Sequence, residues 1–378
     1  MQDYYIFNFL LFLFTFLTFL YVWKISYFLW GLFRLRAGRN KKMYHVTVIV
    51  PARNEEENIS RCLRALTRQK YPSDKLEIVV VDDFSTDRTA DLVRTYTQRY
   101  DYISLINPGR LAPGMSPKKR ALQTGIESSS GEIIITTDAD CWASPQWIRR
   151  IVSQFEEQVG VVTGLVLFDA GDEKTIFHKI QAIEFLGLTM AGIGSIGAGD
   201  PIIANGANFA FRRRAFQQVN GYEDETHIIS GDDDLLLQKI VRQTDWKVKS
   251  VIASDSFVYT RPLSTIVSFL NQRIRWASKG LVYKKFSLVF FLASVYLFYL
   301  LLFISIPLTL PYVSNYPYPV AAFTMKLIID FLLILKGTAV AGRRDLLKYF
   351  LIAEIFQIPY IIYVGFTGIL GQFNWKGR

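Results

Sequence analysis

Carboxylates recur along this chain in short, tight groups: Asp82-Asp83, Asp138-Ala139-Asp140 and Asp232-Asp233-Asp234. Crowded carboxylates repel unless a cation or a donor-rich ligand lies between them. Two carboxylates gripping a hard divalent ion against phosphate oxygens form the usual Mg2+ or Mn2+ arrangement. A different chemistry gathers at Gln272, Arg275 and Trp276. Residues i, i+3 and i+4 share one helix face, so all three can project into one place. There Arg275 offers a planar fork for phosphate and Trp276 an apolar stacking surface. Neither GxxxxGK[ST] nor GxGxxG is present, so ATPase and dinucleotide-binding readings lose support. Two cysteines, Cys62 and Cys141, make no disulfide framework and no CxxC site, and they suit a reducing compartment. Three histidines (His45, His178 and His227) make an all-histidine metal site a poor expectation.

Those carboxylates need a scaffold, and residues 44–286 supply its pattern. Val46–Val50, Leu76–Val81, Ile103–Ile106 and Ile133–Thr136 are short, β-branched, nearly continuous apolar runs, as in strands buried on both faces. Between them run helix-period segments. One holds Ile59, Cys62, Leu63 and Leu66, and another holds Leu92, Val93 and Tyr96. A third follows Pro117, and a fourth follows Ser144-Pro145, which reads as a cap before a first-turn proline. Alternating βαβα implies an α/β fold around an open, mostly parallel sheet. Ligands of such sheets bind beyond the carboxyl ends of the strands. Pro51, Arg53 and Glu55 follow the first strand, Asp82 and Asp83 the second, and Asp138 and Asp140 the fourth. Acidic groups thus converge on one sheet edge.

Six segments then occur in a telling order: Val48–Ile59 (VIVPARNEEENI), Val79–Thr89 (VVVDDFSTDRT), Thr136–Asp140 (TTDAD), Asn205–Phe211 (NGANFAF), Ser230–Leu235 (SGDDDL) and Gln272–Trp276 (QRIRW). Together they resemble the membrane-integral branch of the family 2 glycosyltransferases of GT-A fold, which includes cellulose, chitin, hyaluronan and poly-N-acetylglucosamine synthases and ceramide glucosyltransferase. The resemblance implies a nucleotide-diphospho-sugar transferase domain with a Rossmann-like mixed sheet. It implies that Pro51, Arg53 and Glu55 line the nucleotide pocket and that Asp82 or Asp83 meets the base or ribose. For that pair, helix capping by Asp83, Ser85 or Asp87 is the structural alternative. Asp138 would face ribose and diphosphate, and Asp140, with Asp138, would hold Mg2+ or Mn2+. Lys118 and Lys119 open a helix where the family often has a basic residue near the donor; a solvated basic turn is the alternative.

The resemblance makes Asp232 the catalytic base of an inverting transfer, with Asp233 as fallback because three consecutive aspartates blur the register. Gly231 departs from the family's Glu. A capped, solvated helix start is the structural reading of the same residues. Gln272, Arg275 and Trp276 match QxxRW and would join the nucleotide-sugar site, while Asn205, Gly206 and Asn208 would lie on the acceptor side. A membrane-surface helix with an interfacial Trp is the other reading of Ile266–Tyr283, and both can hold at once.

The chain is 51% hydrophobic and carries a net charge of +10. Ile6 to Trp23 forms an 18-residue apolar run, long enough as a helix to reach about 27 Å. A cleaved signal peptide fits it poorly, because Asp3 precedes it and no Lys or Arg does. Leu288–Leu310, Val320–Leu335 and Tyr349–Leu370 are three more candidate spans. Lys326 and Asp330 stand four apart and can pair, while Glu354 and Gln357 should face other helices. Ile176–Ile193 reads as a further amphipathic helix leading into a glycine-rich stretch. The expected organisation is an N-terminal span (1–33), a catalytic domain (34–286) and a C-terminal membrane domain (287–378). Arg34, Arg36, Arg39, Lys41 and Lys42 flank the catalytic segment on one side, and Arg273, Arg275, Lys279, Lys284 and Lys285 on the other. These ten equal the whole charge excess, which places the catalytic segment on the cytoplasmic face and argues against a nucleic-acid surface. The Asn315 loop would lie opposite, as would a tail with Lys376 and Arg378.

The expected function is transfer of a sugar from a nucleotide sugar, a UDP-sugar by preference, to a lipid-linked or other membrane-proximal acceptor. A processive polysaccharide synthase and a catalytically silent membrane scaffold are the alternatives. Four spans offer little helix surface for a polymer channel, which favours the lipid.

Overall fold

The computed structural model describes residues 2–109, 116–223, 228, 231–309 and 317–370. Ser230, His227, the Asn315 loop, Lys376 and Arg378 lie outside them. In chain order the elements are α1 (Gln2–Arg34), β1 (Val46–Ala52), α2 (Ile59–Leu66), β2 (Leu76–Asp82), α3 (Thr89–Thr97), β3 (Ile103–Ile106), α4 (Pro117–Glu127), β4 (Ile133–Thr136), β5 (Trp142–Ala143), α5 (Trp147–Ser153), β6 (Val159–Gly164), β7 (Val166–Phe168), α6 (Ile176–Gly197), β8 (Phe209–Arg212), α7 (Arg213–Gln218), α8 (Asp234–Gln243), β9 (Lys247–Val251), β10 (Val258–Thr260), α9 (Ile266–Ala277), α10 (Phe286–Thr309), α11 (Tyr318–Ala341) and α12 (Phe350–Ile369). They form two compact units that interleave along the sequence. One comprises Gly31–Glu173 and Gly192–Pro262; the other comprises Met1–Trp30, Lys174–Ala191 and Leu263–Arg378.

The first unit is built on a seven-stranded sheet of order β3-β2-β1-β4-β8-β6-β9. β1 pairs in parallel with β2 and with β4, so the central strand is covered on both edges as its unbroken apolar run requires. β8 runs antiparallel to both its neighbours, β4 and β6, which makes the sheet mixed. Ile49, Val79, Val81, Ile134 and Phe211 of the sheet pack with Leu122 and Ile126 of α4 and Leu236, Leu237 and Ile240 of α8 in one buried core. A small second sheet, β5-β10-β7, stands apart. The capping expectation at Ser144 is corrected: α5 starts at Trp147 with Gln146 at its N-cap. Ser144 and Pro145 form the preceding turn, in which the Trp147 N–H donates to the Ser144 carbonyl at 3.0 Å. Trp142 and Ala143 are drawn into strand pairing with β10 instead, so the helix cannot begin earlier.

The second unit is helical. Five helical segments are long and apolar enough to cross a membrane: Asn8–Arg34, Ile176–Gly197, Phe286–Ser305, Tyr318–Ala341 and Arg344–Ile369. Four of them answer to the expected spans, and α6 is the fifth. Its glycine-rich end is helical to Gly197, and the chain turns at Gly199, whose φ of +86° only glycine adopts freely. Lys326 lies fully buried at the centre of this unit. Its ammonium meets Asp330 at 2.8 Å, Gln357 at 3.0 Å and, closer still, Glu354. Tyr21 of α1 donates to Asp330 at 2.9 Å, and Tyr299 of α10 donates to Gln357 at 2.7 Å. Four helices thus share one polar knot, because an unpaired charge between apolar helices would be too costly to keep.

Candidate active site

The sheet places its functional side chains through strand ends, as the parallel pattern requires. The loop after β1 and the loop after β2 clip together. The Asn54 N–H donates to Ser85 Oγ at 2.9 Å, and the Thr86 N–H donates to Asn54 Oδ1 at 2.8 Å. Asn54 and Phe84 both hold positive φ, +51° and +55°, a cost that such a clip must hold in place. The Glu55 N–H donates to Thr89 Oγ1 at 2.8 Å, and the Glu55 carboxylate accepts from Asn58 at 2.8 Å. Pro51 pairs with Val81 in the sheet, which ties the first loop to the second.

Asp82 and Asp83 are both buried, and they do different work. Asp83 is bracketed by two guanidinium groups, Arg53 at 3.4 Å and Arg120 closer. Asp82 accepts from the Ser85 N–H and from Asn107 Nδ2, each at 3.4 Å. Neither caps α3. Asp87 takes the position nearest to that, accepting from the Thr89 N–H at 2.9 Å. Hydrogen bonds from Thr89 hold its carboxyl below the ordinary value despite some burial.

Asp138 and Asp140 follow β4, and with Cys141 they bring three ligand atoms within 4.8 Å of one another. Burial, followed by the charges of Asp140 and Asp138, pushes the Cys141 thiol well above its usual range. A thiol is also a softer ligand than a carboxylate and suits a hard ion poorly. The two carboxylates remain, and hard oxygen donors fit Mg2+ or Mn2+.

Lys118, in the first turn of α4, links this pair to a second acidic group. Its Nζ stands 2.8 Å from Asp138 Oδ1 and 3.1 Å from Asp232 Oδ2. Burial pulls the ammonium's pKa down, but the Asp138, Asp232 and Asp233 carboxylates outweigh it and the net lies well above the ordinary lysine value. The lysine is therefore a fixed cation and not a solvated turn.

The three aspartates at the start of α8 separate cleanly. Asp233 is the N-cap: one oxygen accepts from the Asp234 N–H at 2.7 Å and the other from the Gly206 N–H at 2.7 Å. Asp234 is buried and accepts from the Ala204 N–H at 2.9 Å. Asp232 is the one paired to Lys118. Gly206 sits against two of them and the lysine: a Cβ there would lie 3.0 Å from Asp232 Oδ2, 3.4 Å from Asp233 Oδ2 and 3.5 Å from Lys118 Nζ. Of its neighbours, Asn205 accepts from the Ala207 N–H at 3.1 Å. Asn208 is wholly buried, accepting from Trp147 Nε1 at 2.9 Å and donating to the Leu165 and Ser256 carbonyls. Both amide hydrogens are taken inside the fold, so its part is to hold β8 in place.

Thirteen of the expected site residues thus belong to the sheet unit, whereas Gln272, Arg275 and Trp276 belong to the helical unit, on α9. Thr265 caps that helix, its Oγ1 accepting from the Ser268 N–H at 3.1 Å. Gln272, Arg275 and Trp276 are all half-buried. Arg120 escaped the sequence reading. Its signal was available: Lys118-Lys119-Arg120 puts three cations at a helix start, where the dipole disfavours them unless acids stand nearby.

Residues 47–219 match the family model described as glycosyl transferase family 2. Among curated relatives, Glycosyltransferase AglE of Haloferax volcanii is 33% identical, aligned over 50% of this chain and 58% of its own length. The beta-monoglucosyldiacylglycerol synthase of Synechocystis sp. is 27% identical over 62% of this chain and 47% of its own. The chain spans about half the length of the curated relatives it matches. Among solved structures, the Pyrobaculum calidifontis mannosyltransferase in complex with GDP-Man and Mn2+ superposes with a TM-score of 0.61 at 20% identity, covering 96% of this chain and 99% of that one. The fold is accordingly the GT-A α/β fold, accompanied by long apolar helices.

Proposed function

We propose that this chain, which carries a family 2 glycosyltransferase domain, transfers a sugar from a nucleotide sugar to a lipid acceptor at the membrane surface, with inversion at the anomeric carbon. The observation that carries this reading is the Lys118 bridge. One ammonium within 3.1 Å of both Asp138 and Asp232 brings the metal-type carboxylates and a candidate base around one small volume.

In this reading Asp232 accepts the proton of an acceptor hydroxyl. The hydroxyl oxygen bonds to the anomeric carbon, and the bond from that carbon to the diphosphate oxygen breaks. Asp138 and Asp140 would hold a divalent ion, which when bound would supply Lewis-acid neutralisation of the leaving diphosphate. Arg53 and Asp83, locked together, form the floor of the nucleoside pocket, with Pro51, Glu55 and Asp82 around it. Lys118 balances the charge of Asp138 and Asp232. The resemblance implies that Gln272, Arg275 and Trp276 join the nucleotide-sugar site; of them we assign Arg275 to the diphosphate and Trp276 to an acceptor platform, while Asn205 and Gly206 also serve the acceptor. Residues 34–286 act as the catalytic segment, and the flanking spans hold it at the cytoplasmic face of the plasma membrane.

The preference for a lipid rests on the four candidate spans that flank residues 34–286, which offer little helix surface for a polymer channel, and on the glycolipid-synthase name of the Synechocystis relative. The test uses the purified chain in nanodiscs containing dioleoylglycerol, offered UDP-glucose, UDP-N-acetylglucosamine or GDP-mannose with Mn2+ or with EDTA. Metal-dependent release of nucleoside diphosphate together with a glycosylated lipid by mass spectrometry is expected, with a UDP-sugar as donor. A high-mass polymer would replace the lipid acceptor by a processive synthase. Absence of any metal-dependent UDP or GDP binding would leave a scaffold.

A further inference from the structure

Two buried ionic side chains of the helical unit stand directly behind Gln272 and Trp276. Arg273 is 4% exposed. Its Nε donates to Glu184 Oε1 at 3.2 Å and its Nη2 donates to Glu184 Oε2. Nη1 turns the other way and donates to Gln272 Oε1 at 2.5 Å. The guanidinium carbon lies 4.3 Å from the Trp276 ring centre and 4.6 Å from that of Phe269. Phe185, next to Glu184, packs a tilted ring 6.0 Å from Trp276. From α12, the Tyr360 hydroxyl donates to Glu184 Oε1, and its ring meets Phe269 edge-on at 5.6 Å. Helices α6, α9 and α12 therefore converge on one ion pair.

A buried Arg–Glu pair is a weak stability device, because apolar residues of equal volume usually hold helices together as well. What the pair supplies is direction. The planar fork fixes the guanidinium on Glu184, its spare edge then aims the Gln272 carbonyl oxygen, and its face holds the Trp276 ring. We propose that Arg273, Glu184 and Tyr360 are positioning residues that set the rotamers of Gln272 and Trp276, so that helix α12 tunes acceptor recognition through a single hydroxyl. This rests on the reading above that Trp276 serves the acceptor.

Glu184→Gln leaves Arg273 buried opposite a neutral amide and risks misfolding, so Tyr360→Phe, which deletes only the hydroxyl, carries the test. The full chain in nanodiscs is assayed with dioleoylglycerol as acceptor probe and the donor selected above. Tyr360→Phe is expected to raise the acceptor KM about tenfold and Trp276→Ala about a hundredfold, with the donor KM moving less than about threefold. The double variant should fall short of the product of the two effects, because both act through Trp276. Acrylamide quenching of Trp276, taken as the difference between each chain and its Trp276→Phe twin, should rise about twofold in Tyr360→Phe as the ring loosens. An unchanged acceptor KM in Trp276→Ala overturns the acceptor reading of α9, and the quenching result then decides the latch by itself. If Trp276→Ala raises that KM while Tyr360→Phe changes neither KM nor quenching, or if the two effects simply multiply, the latch is wrong.

Discussion

Replacing Asp232 by asparagine removes one charge and almost no volume. Its carboxylate is buried and lies 3.1 Å from Lys118, which keeps Asp138 at 2.8 Å after the change. The ammonium is therefore not stranded, and the fold should lose only about 1 kcal/mol, the usual net worth of one polar contact. Chemistry should lose far more. An asparagine cannot take the acceptor proton, and a positioned general base contributes about 10²–10⁴ in rate, or roughly 3–5 kcal/mol of barrier. The adjacent Asp233→Asn should show the opposite balance. Asp233 accepts two backbone N–H groups, each at 2.7 Å, and an amide has only one oxygen to offer. Either Gly206 or Asp234 is left with an unsatisfied donor, at about 1–3 kcal/mol, or a melting drop of about 2–4 °C for each kcal/mol in a unit of this size. Nucleoside diphosphate release measures the chemistry, calorimetric titration with UDP and Mn2+ measures donor binding, and thermal unfolding measures the fold. Asp232→Asn should retain donor binding and melt only about 2–4 °C lower while losing turnover. If instead Asp233→Asn folds normally and is dead while Asp232→Asn still turns over, the division of labour argued here is wrong and the base is one residue further on.

Gly206→Ala sets a methyl group 3.0 Å from Asp232 Oδ2 in a backbone conformation that any residue adopts, so turnover should fall about 10- to 100-fold by misplacement with little change in melting; equal losses of both would indicate a purely structural glycine. Lys118→Met withdraws the ammonium that competes for Asp138 Oδ1, and calorimetry should show Mn2+ binding about three- to tenfold tighter in the absence of nucleotide. Weaker binding would show that the lysine organises the carboxylates instead of competing for them. Lys326→Met leaves Asp330 and Glu354 buried without their cation, and unfolding in detergent should show a loss of about 3–5 kcal/mol; an unchanged midpoint would show that this ionic cluster does not hold the helices together.

The strands were legible because burial on both faces leaves an unmistakable mark. The runs at 46, 76, 103 and 133 became β1 to β4, and the acidic positions after them follow strand ends. What the sequence concealed was the pairing within each acidic cluster. Asp82 and Asp83 are chemically identical on paper, and only the fold shows that Asp83 answers to Arg53 and Arg120 while Asp82 does not. Asn205, Gly206 and Asn208 were expected together on the acceptor side, yet Asn208 is spent inside on Trp147, a partner sixty-one residues away. Long-range satisfaction of this kind has no local period to detect. The extent of α6 was hidden for a related reason: the expected helix stopped at Ile193, while the structure carries it to Gly197, with Gly192 packed so closely that a Cβ would come within 2.7 Å of Ile203.

Gly231 resolves the departure from the family pattern. Its φ is +82°, so any other residue there would carry left-handed strain, at about 1–2 kcal/mol. A glutamate at this position would pay that strain at the point where the chain enters α8, one residue before Asp232. The family's first acid thus cannot be restored by substitution without distorting the second. Gly231→Ala should lower the melting temperature by about 3–6 °C with donor binding retained, and Gly231→Glu should do so by at least as much and lose turnover as well. A Gly231→Glu chain that melts like the parent and turns over faster would show that the backbone here is pliable. It would also show that the acid missing from the pattern, and not Asp232 alone, limits the reaction.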